Sequence, residues 1–432
     1  MEILFVFLYI MMIFLSLLIS KFKYQKLLLP NTVFTILWGI VGFLSIVGDV
    51  GALRPSATIH VYAILTIATF NITYFIFTKK AHLTPNINYK STILYEINNK
   101  AVYLIEIIAL ILISPNLVAS LKAILANGLD LTYVRTQTYI LQRFDSQILM
   151  FLFRAVPLTL FSVVMLLAIY NLVNGKKRFL NLVVFNLLIE ILTFGGRGKL
   201  WNFVAFFIGA LILTDSFKKI KIKGNKYLIY AVTAMVIVTI LRGEDLLNVI
   251  KAAYLYFVGP FSYLELIIRD PLRFGLEEPA MYGYLTLGFL FEPIVLTLKA
   301  LLGLQIDVPS YHFNIYAQPF VNIGDAKIVF YNNNTTMLYT FLRDFGPSGV
   351  IIGTSFLAWL ICFFQKKAIQ KNNLRYKIIS IFMYSIILDS VRLYMLTNTT
   401  LVIIFITLMF AIKKQRNQNT DIIDGVYIGK MK

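Results

Sequence analysis

Gly195-Gly196-Arg197-Gly198-Lys199 sets one arginine among three glycines, between two short apolar runs at 179–194 and 201–214. Glycine lets a backbone turn tightly and bring bare N–H groups toward a ligand. A helix that begins directly after such a turn aims its positive dipole end the same way. An arginine so placed suits bidentate contact with a diphosphate; the plain alternative is a helical-hairpin turn whose arginine reaches lipid phosphate. The segment is not a P-loop, because the four-residue gap between glycines and the following Ser or Thr are absent.

A second constellation is Asn333-Asn334-Thr335-Thr336, followed by Arg343-Asp344-Phe345-Gly346-Pro347-Ser348-Gly349. Asn333 and Thr336 offer donors and acceptors suited to sugar hydroxyls. Asp344 is either a general base or the cap of the helix whose first turn Pro347 suits. Arg343 and Arg242 add positive charge for an anionic substrate. Arg135 and Arg143 lie eight apart, a spacing that shares one helix face and would guide an anionic lipid diphosphate, with Arg135 the more important; the alternative is solvated loop charge. Glu190 and Glu244 are the other general-base candidates. Arg54, Arg154, Asp389 and Arg392 also sit at ends of apolar runs, where ionisable residues mark functional sites by default. Arg54 and Arg154 suit snorkelling, and Asp389 and Arg392, three apart on one helix, either neutralise each other or serve a site.

The elements that must position these residues are helices in a membrane. The chain is 59% hydrophobic and 14% charged, whereas a soluble domain carries about 25% charged residues. About eleven apolar runs approach the roughly 20 residues a spanning helix needs. They cover 3–20, 33–47, 59–77, 101–120, 148–170, 179–194, 201–214, 227–241, 350–364, 378–396 and 401–412. The fold class is therefore all-α and polytopic. An N-terminal bundle of about eight helices covers 1–241, a large loop 242–348, C-terminal helices 349–412 and a basic tail 413–432. Positions 246, 249, 250, 253, 256 and 257 are apolar at helical spacing, which predicts an interfacial amphipathic helix. If 246–268 and 281–304 both spanned, the count would rise to thirteen with the same parity. Glu2 stands where a signal peptide is positive and no cleavage site follows, so the first segment is expected to stay as a helix.

The net charge of +19 is not spread as a nucleic-acid footprint. Lysine and arginine gather at 21–26, 79–100, 176–178, 218–226 and 366–377, in every second linker, and again in the C-terminal tail. That alternation makes those segments cytoplasmic, with anionic lipid headgroups as their partners. The N-terminus and the 121–147 and 242–348 segments are then outside, and the C-terminus inside. One cysteine and three histidines (His60, His82 and His312) leave no disulfide framework or cysteine and histidine metal cluster to expect.

Asn333-x-x-Thr336, Asp344-Phe345-Gly346 and Gly349 leading into a late helix, the glycine-flanked Arg197 and the large outward loop resemble the Wzy-type O-antigen and capsule polymerases. The resemblance covers the whole chain in layout and these short motifs in residues. It implies a GT-C-like glycosyltransferase of the bacterial inner membrane with a periplasmic site. Undecaprenyl-diphosphate-linked oligosaccharide would be donor and acceptor, with no cofactor or metal, and a chain-length regulator protein is a partner the family implies. Arg197, Asp344 and Arg135 would be catalytic, and Arg143, Arg343, Asn333, Thr336 and Arg242 would bind substrate. The related O-antigen ligases usually carry a histidine where Thr335 and Thr336 stand here; His312 lies well upstream. A lipid-linked oligosaccharide flippase or transporter is the other class such a layout admits, and it would not need so long an outer loop.

Overall fold

The computed structural model describes residues 2–48, 51–79, 83, 93–128, 130–131, 133–134, 136, 146–214, 225–240, 246–317, 319–325, 327–331, 334–370 and 373–416. It is a mostly helical membrane protein. Its helices are α1 Glu2–Tyr24, α2 Pro30–Val47, α3 Ala57–Phe77, α4 Asn99–Asn127, α5 Gln147–Val173, α6 Leu180–Phe194, α7 Gly198–Leu213 and α8 Asn225–Ile240. After these come α9 Leu246–Arg269, α10 Gly288–Leu302, α11 Pro309–Ala317, α12 Thr336–Phe345, α13 Gly349–Gln370, α14 Leu374–Asp389 and α15 Thr400–Ala411. Among the described residues six helical stretches are long and apolar enough to cross a membrane: α1, α2, α3, α4, α5 and the nearly continuous Thr336–Gln370. Four shorter apolar helices, α6, α7, α8 and α15, accompany them.

Burial sorts the helices. From Leu160 to Ile169 every residue of α5 is buried, and α14 is buried from Ile378 to Asp389. Both are apolar around their full circumference, as central helices in lipid are. By contrast α1 keeps Ile3, Phe7, Ile10 and Phe14 more than half exposed, a lipid-facing surface. Polar side chains tie the first three helices together: Asn31 donates to Ser16 (3.3 Å), Ser20 (3.0 Å) and Asn71 (3.1 Å), and Asn71 donates to Thr35 (2.7 Å). Small polar groups of this kind serve as glue where no hydrophobic force separates helix from lipid. Gly209 lets α7 approach α14; a Cβ there would stand 2.7 Å from the Tyr384 Cβ.

Described parts of several basic linkers meet at one end of the bundle. Lys23 donates to the Phe75 carbonyl, Tyr24 to that of Thr78, and Tyr74 to Gln365. Strand β1 (Ile93–Ile97) pairs antiparallel with β4 (Ile412–Arg416), and Arg375 donates to the Ile412 carbonyl at 2.6 Å. At the other end the α2–α3 connection joins the large outer segment: Leu53 N–H bonds the Ile323 carbonyl and Ser56 N–H bonds Glu265. A second small ribbon, β2 (Val321–Asn322) with β3 (Phe330–Tyr331), lies in that segment.

The mostly helical fold agrees with the all-α expectation, and two short two-stranded ribbons accompany the helices. Other expectations change. The amphipathic helix expected near 246–257 is present and runs on to Arg269, yet it is not among the six membrane-length helices. In the apolar stretch at 281–304 the structure has the 15-residue α10, which is not among those six helices either. The run at 378–396 is not one helix: α14 stops at Asp389, and residues 390–394 turn back toward the start of α12.

Candidate anion site at the end of the bundle opposite the basic linkers

Arg197 occupies the position just before α7, with φ −110° and ψ 3°, while Gly195 ends α6 in the left-handed region at φ 58°. The turn is open on its ligand side: a Cβ on Gly196 or Gly198 would meet nothing within 4 Å. The Arg197 guanidinium donates to the Thr239 hydroxyl and stands 5.9 Å from the centre of the Tyr256 ring. Among the described residues no carboxylate forms an ion pair with it.

Arg392 shares that ring. Its guanidinium lies 3.7 Å from the centre of Tyr256 and 5.7 Å from that of Trp201. Trp201 is one helical turn after Arg197, so both leave the same face of α7. Arg392 also binds Asp389 at 2.7 Å, and Asp389 accepts from the Trp201 indole at 2.8 Å. Arg392 is 7% exposed, and its Nε–H has no hydrogen-bond partner among the described residues. An orphaned donor on a buried cation is costly, and it is suited to an acceptor supplied by a ligand.

Main-chain pairing brings the Asn334–Thr336 segment here. Thr336 N–H bonds the Arg392 carbonyl (3.0 Å) and Met337 N–H bonds that of Ser390 (2.9 Å). Asn334 accepts from the Arg392 guanidinium at 3.5 Å. Thr336 is held at φ 61°, a strained conformation for a β-branched residue, and such strain clusters at functional sites. Burial pushes the Tyr331 phenol well up, opposed by the nearby Arg392 cation. Among the described residues Asp389 is the one carboxylate of the cluster and it is paired with Arg392, so Arg197 adds a further positive charge. The cluster offers an anion two guanidiniums near one aromatic ring.

Arg343 and Asp344 sit at the far end of α12, seven and eight residues from Thr336, about 10 Å along a helix axis. Arg343 is buried, binds Glu278 and donates to the Pro279 carbonyl at 2.7 Å. Asp344 does not cap the helix that follows it. Its two oxygens accept the N–H groups of Leu285 (3.1 Å) and Thr286 (2.6 Å), which enter the turn before α10. Glu190 is buried opposite Lys199, whose ammonium donates to Ser162 and to the Leu158 carbonyl. Arg135, Arg143, Arg242, Asn333 and Glu244 lie outside the described residues.

Trp201 and Tyr256 are not among the residues the sequence points to as a site, and Asn334 is there only as a neighbour of Asn333 and Thr336. Arg392 and Asp389 stand there as a pair that either neutralises itself or serves a site, and the pair forms. Tyr256 was legible only as one position of an apolar stripe. Trp201 carried a signal, its four-residue spacing from Arg197. No protein-family profile matches the chain, and no curated protein or solved structure matches it either.

Proposed function

We propose that the chain is a bacterial inner-membrane glycosyltransferase that joins undecaprenyl-diphosphate-linked oligosaccharide repeat units into O antigen or capsular polysaccharide on the periplasmic face. The observation that carries the reading is the pair Arg197 and Arg392 on one Tyr256 ring, at the end of the bundle opposite the basic linkers. Transfer forms a bond from an acceptor hydroxyl oxygen to the donor's anomeric carbon, breaks the bond from that carbon to the diphosphate, and passes the hydroxyl proton to water or to the leaving diphosphate. Negative charge grows on the leaving diphosphate, and preorganised guanidiniums are the groups that stabilise it. Asn334 and Thr336, held beside Arg392 by main-chain bonds, are where sugar hydroxyls would meet the site. Arg343 and Asp344 support this reading as positioning residues, because their side chains brace the outer segment. In this reading about eleven helices span, with the N-terminus periplasmic and the C-terminus cytoplasmic.

The glycan of a deletion strain tests the proposal. A polymerase deletion leaves single repeat units on the cell surface. Complete loss of surface glycan with long chains retained on the lipid carrier would mean a ligase, and repeat units accumulating inside would mean a flippase.

A further inference from the structure

Glu106 lies on α4, inside a membrane-length helix, about 10 Å from its start. It is 4% exposed and faces Asn186 of α6, which is 2% exposed. The Asn186 Nδ2 donates to Glu106 Oε2 at 3.0 Å. The remaining oxygens, Glu106 Oε1 and Asn186 Oδ1, are buried and have no donor among the described residues. No described cation pairs with Glu106: the ion pairs among the described residues are Glu265–Arg269, Glu278–Arg343, Asp389–Arg392 and Glu96–Lys413.

We propose that Glu106 is a resident proton site, a neutral carboxylic acid whose O–H donates to Asn186 Oδ1 and closes a two-bond ring between α4 and α6. An ionised carboxylate and an amide oxygen are both acceptors only, so two of them side by side repel; one proton satisfies both. Exchanging the amide's oxygen and nitrogen leaves the conclusion unchanged, because an oxygen then faces Oε2 instead. Depth acts in the same direction, since a lone carboxylate in hydrocarbon is costly and a neutral acid is much less so.

Among the described residues the surroundings offer no competing partner. On α4 itself the titratable groups are Lys100, Tyr103 and Lys122, toward its ends. On α5 they are Arg154 and Tyr170, and α15 has none. On α6 the nearest is Glu190, one turn beyond Asn186 and set against Lys199. The ring joins two peripheral helices whose other faces are lipid-exposed, at Ile107 and Ile111 on α4 and at Val184 and Leu188 on α6. It thereby anchors the helix that leads into the Arg197 turn. The inference does not depend on the glycosyltransferase reading.

Infrared spectroscopy of the purified full-length protein in lipid vesicles at neutral pH tests it. The wild type minus Glu106→Gln difference should contain the carbonyl band of a protonated carboxylic acid. In Asn186→Leu that band should persist and move to the higher frequency of an acid with a weaker hydrogen bond. Loss of only an ionised-carboxylate band in the first difference would overturn the proposal. A protonated band that Asn186→Leu leaves unmoved would overturn the ring.

Discussion

Arg392 is buried in an ion pair and Arg197 is not, and this difference sets what each substitution does. Removing Arg392 strips Asp389 of its cation, and breaking a buried pair from one side costs about 3–5 kcal/mol. Its loss therefore combines stability and function. Among the described residues Arg197 bonds a hydroxyl and faces an aromatic ring, so Arg197→Ala should leave the fold intact and abolish long-chain glycan. Arg197→Lys should restore only part of it, since an ammonium cannot make the bidentate contact; glycan ladders at matched protein level read both. Asp344 separates in the opposite sense. Asp344→Ala leaves two buried N–H groups unpaired, at about 1–3 kcal/mol each, and should lower thermal stability. Asp344→Asn keeps one acceptor oxygen and should stay active, whereas a folded, inactive Asp344→Asn would restore the general-base role. Arg197 was legible because glycine neighbours are visible in sequence. Arg392 was legible as half of a charged pair at the end of an apolar run, but its stacking on Tyr256 was not, because it joins residues 136 positions apart.

At the scale of elements, the apolar runs announced nearly every bundle helix, and the breaks within them stayed hidden. Nothing between Asp389 and Thr399 is Gly or Pro, and Val391, Leu393, Tyr394 and Leu396 continue the apolar composition through the turn. What ends α14 is tertiary, the pairing of 390–392 with the start of α12. Strands of two to five residues leave no periodicity to read. In the outer segment Glu292 of α10 is buried, accepting the Ser310 hydroxyl and the Thr399 N–H just ahead of α15. Burial pushes its carboxyl up to about 7, against the downward pull of those two donors. A carboxyl raised in the folded state contributes stability that is complete below its unfolded value of 4.5 and is lost as pH rises through about 7. Wild-type thermal stability should therefore fall relative to Glu292→Gln as pH rises from ~5 to ~8; parallel curves would remove Glu292 as the cause.

For the whole molecule, the contacts among Lys23, Gln365, Arg375 and β4 bring described parts of the basic linkers to one end, in line with the charge alternation. Orientation follows from the same rule and can be measured. Gln305 and Lys177 are exposed, and the single cysteine, Cys362, is buried. An impermeant thiol reagent added outside should label Gln305→Cys in intact cells and reach Lys177→Cys only after permeabilisation; the reverse would invert the molecule. What composition and spacing could not convey is that three distant segments converge on one ring: the α6–α7 turn, α9 and the 390–392 turn. Polymerisation at that convergence is most directly tested by the glycan length distribution in cells carrying Arg392→Ala or Arg392→Lys at wild-type protein level. The account predicts that both variants leave single repeat units, with long-chain glycan down by about 10²-fold or more, the scale of losing one transition-state donor. A normal ladder from either variant would contradict it.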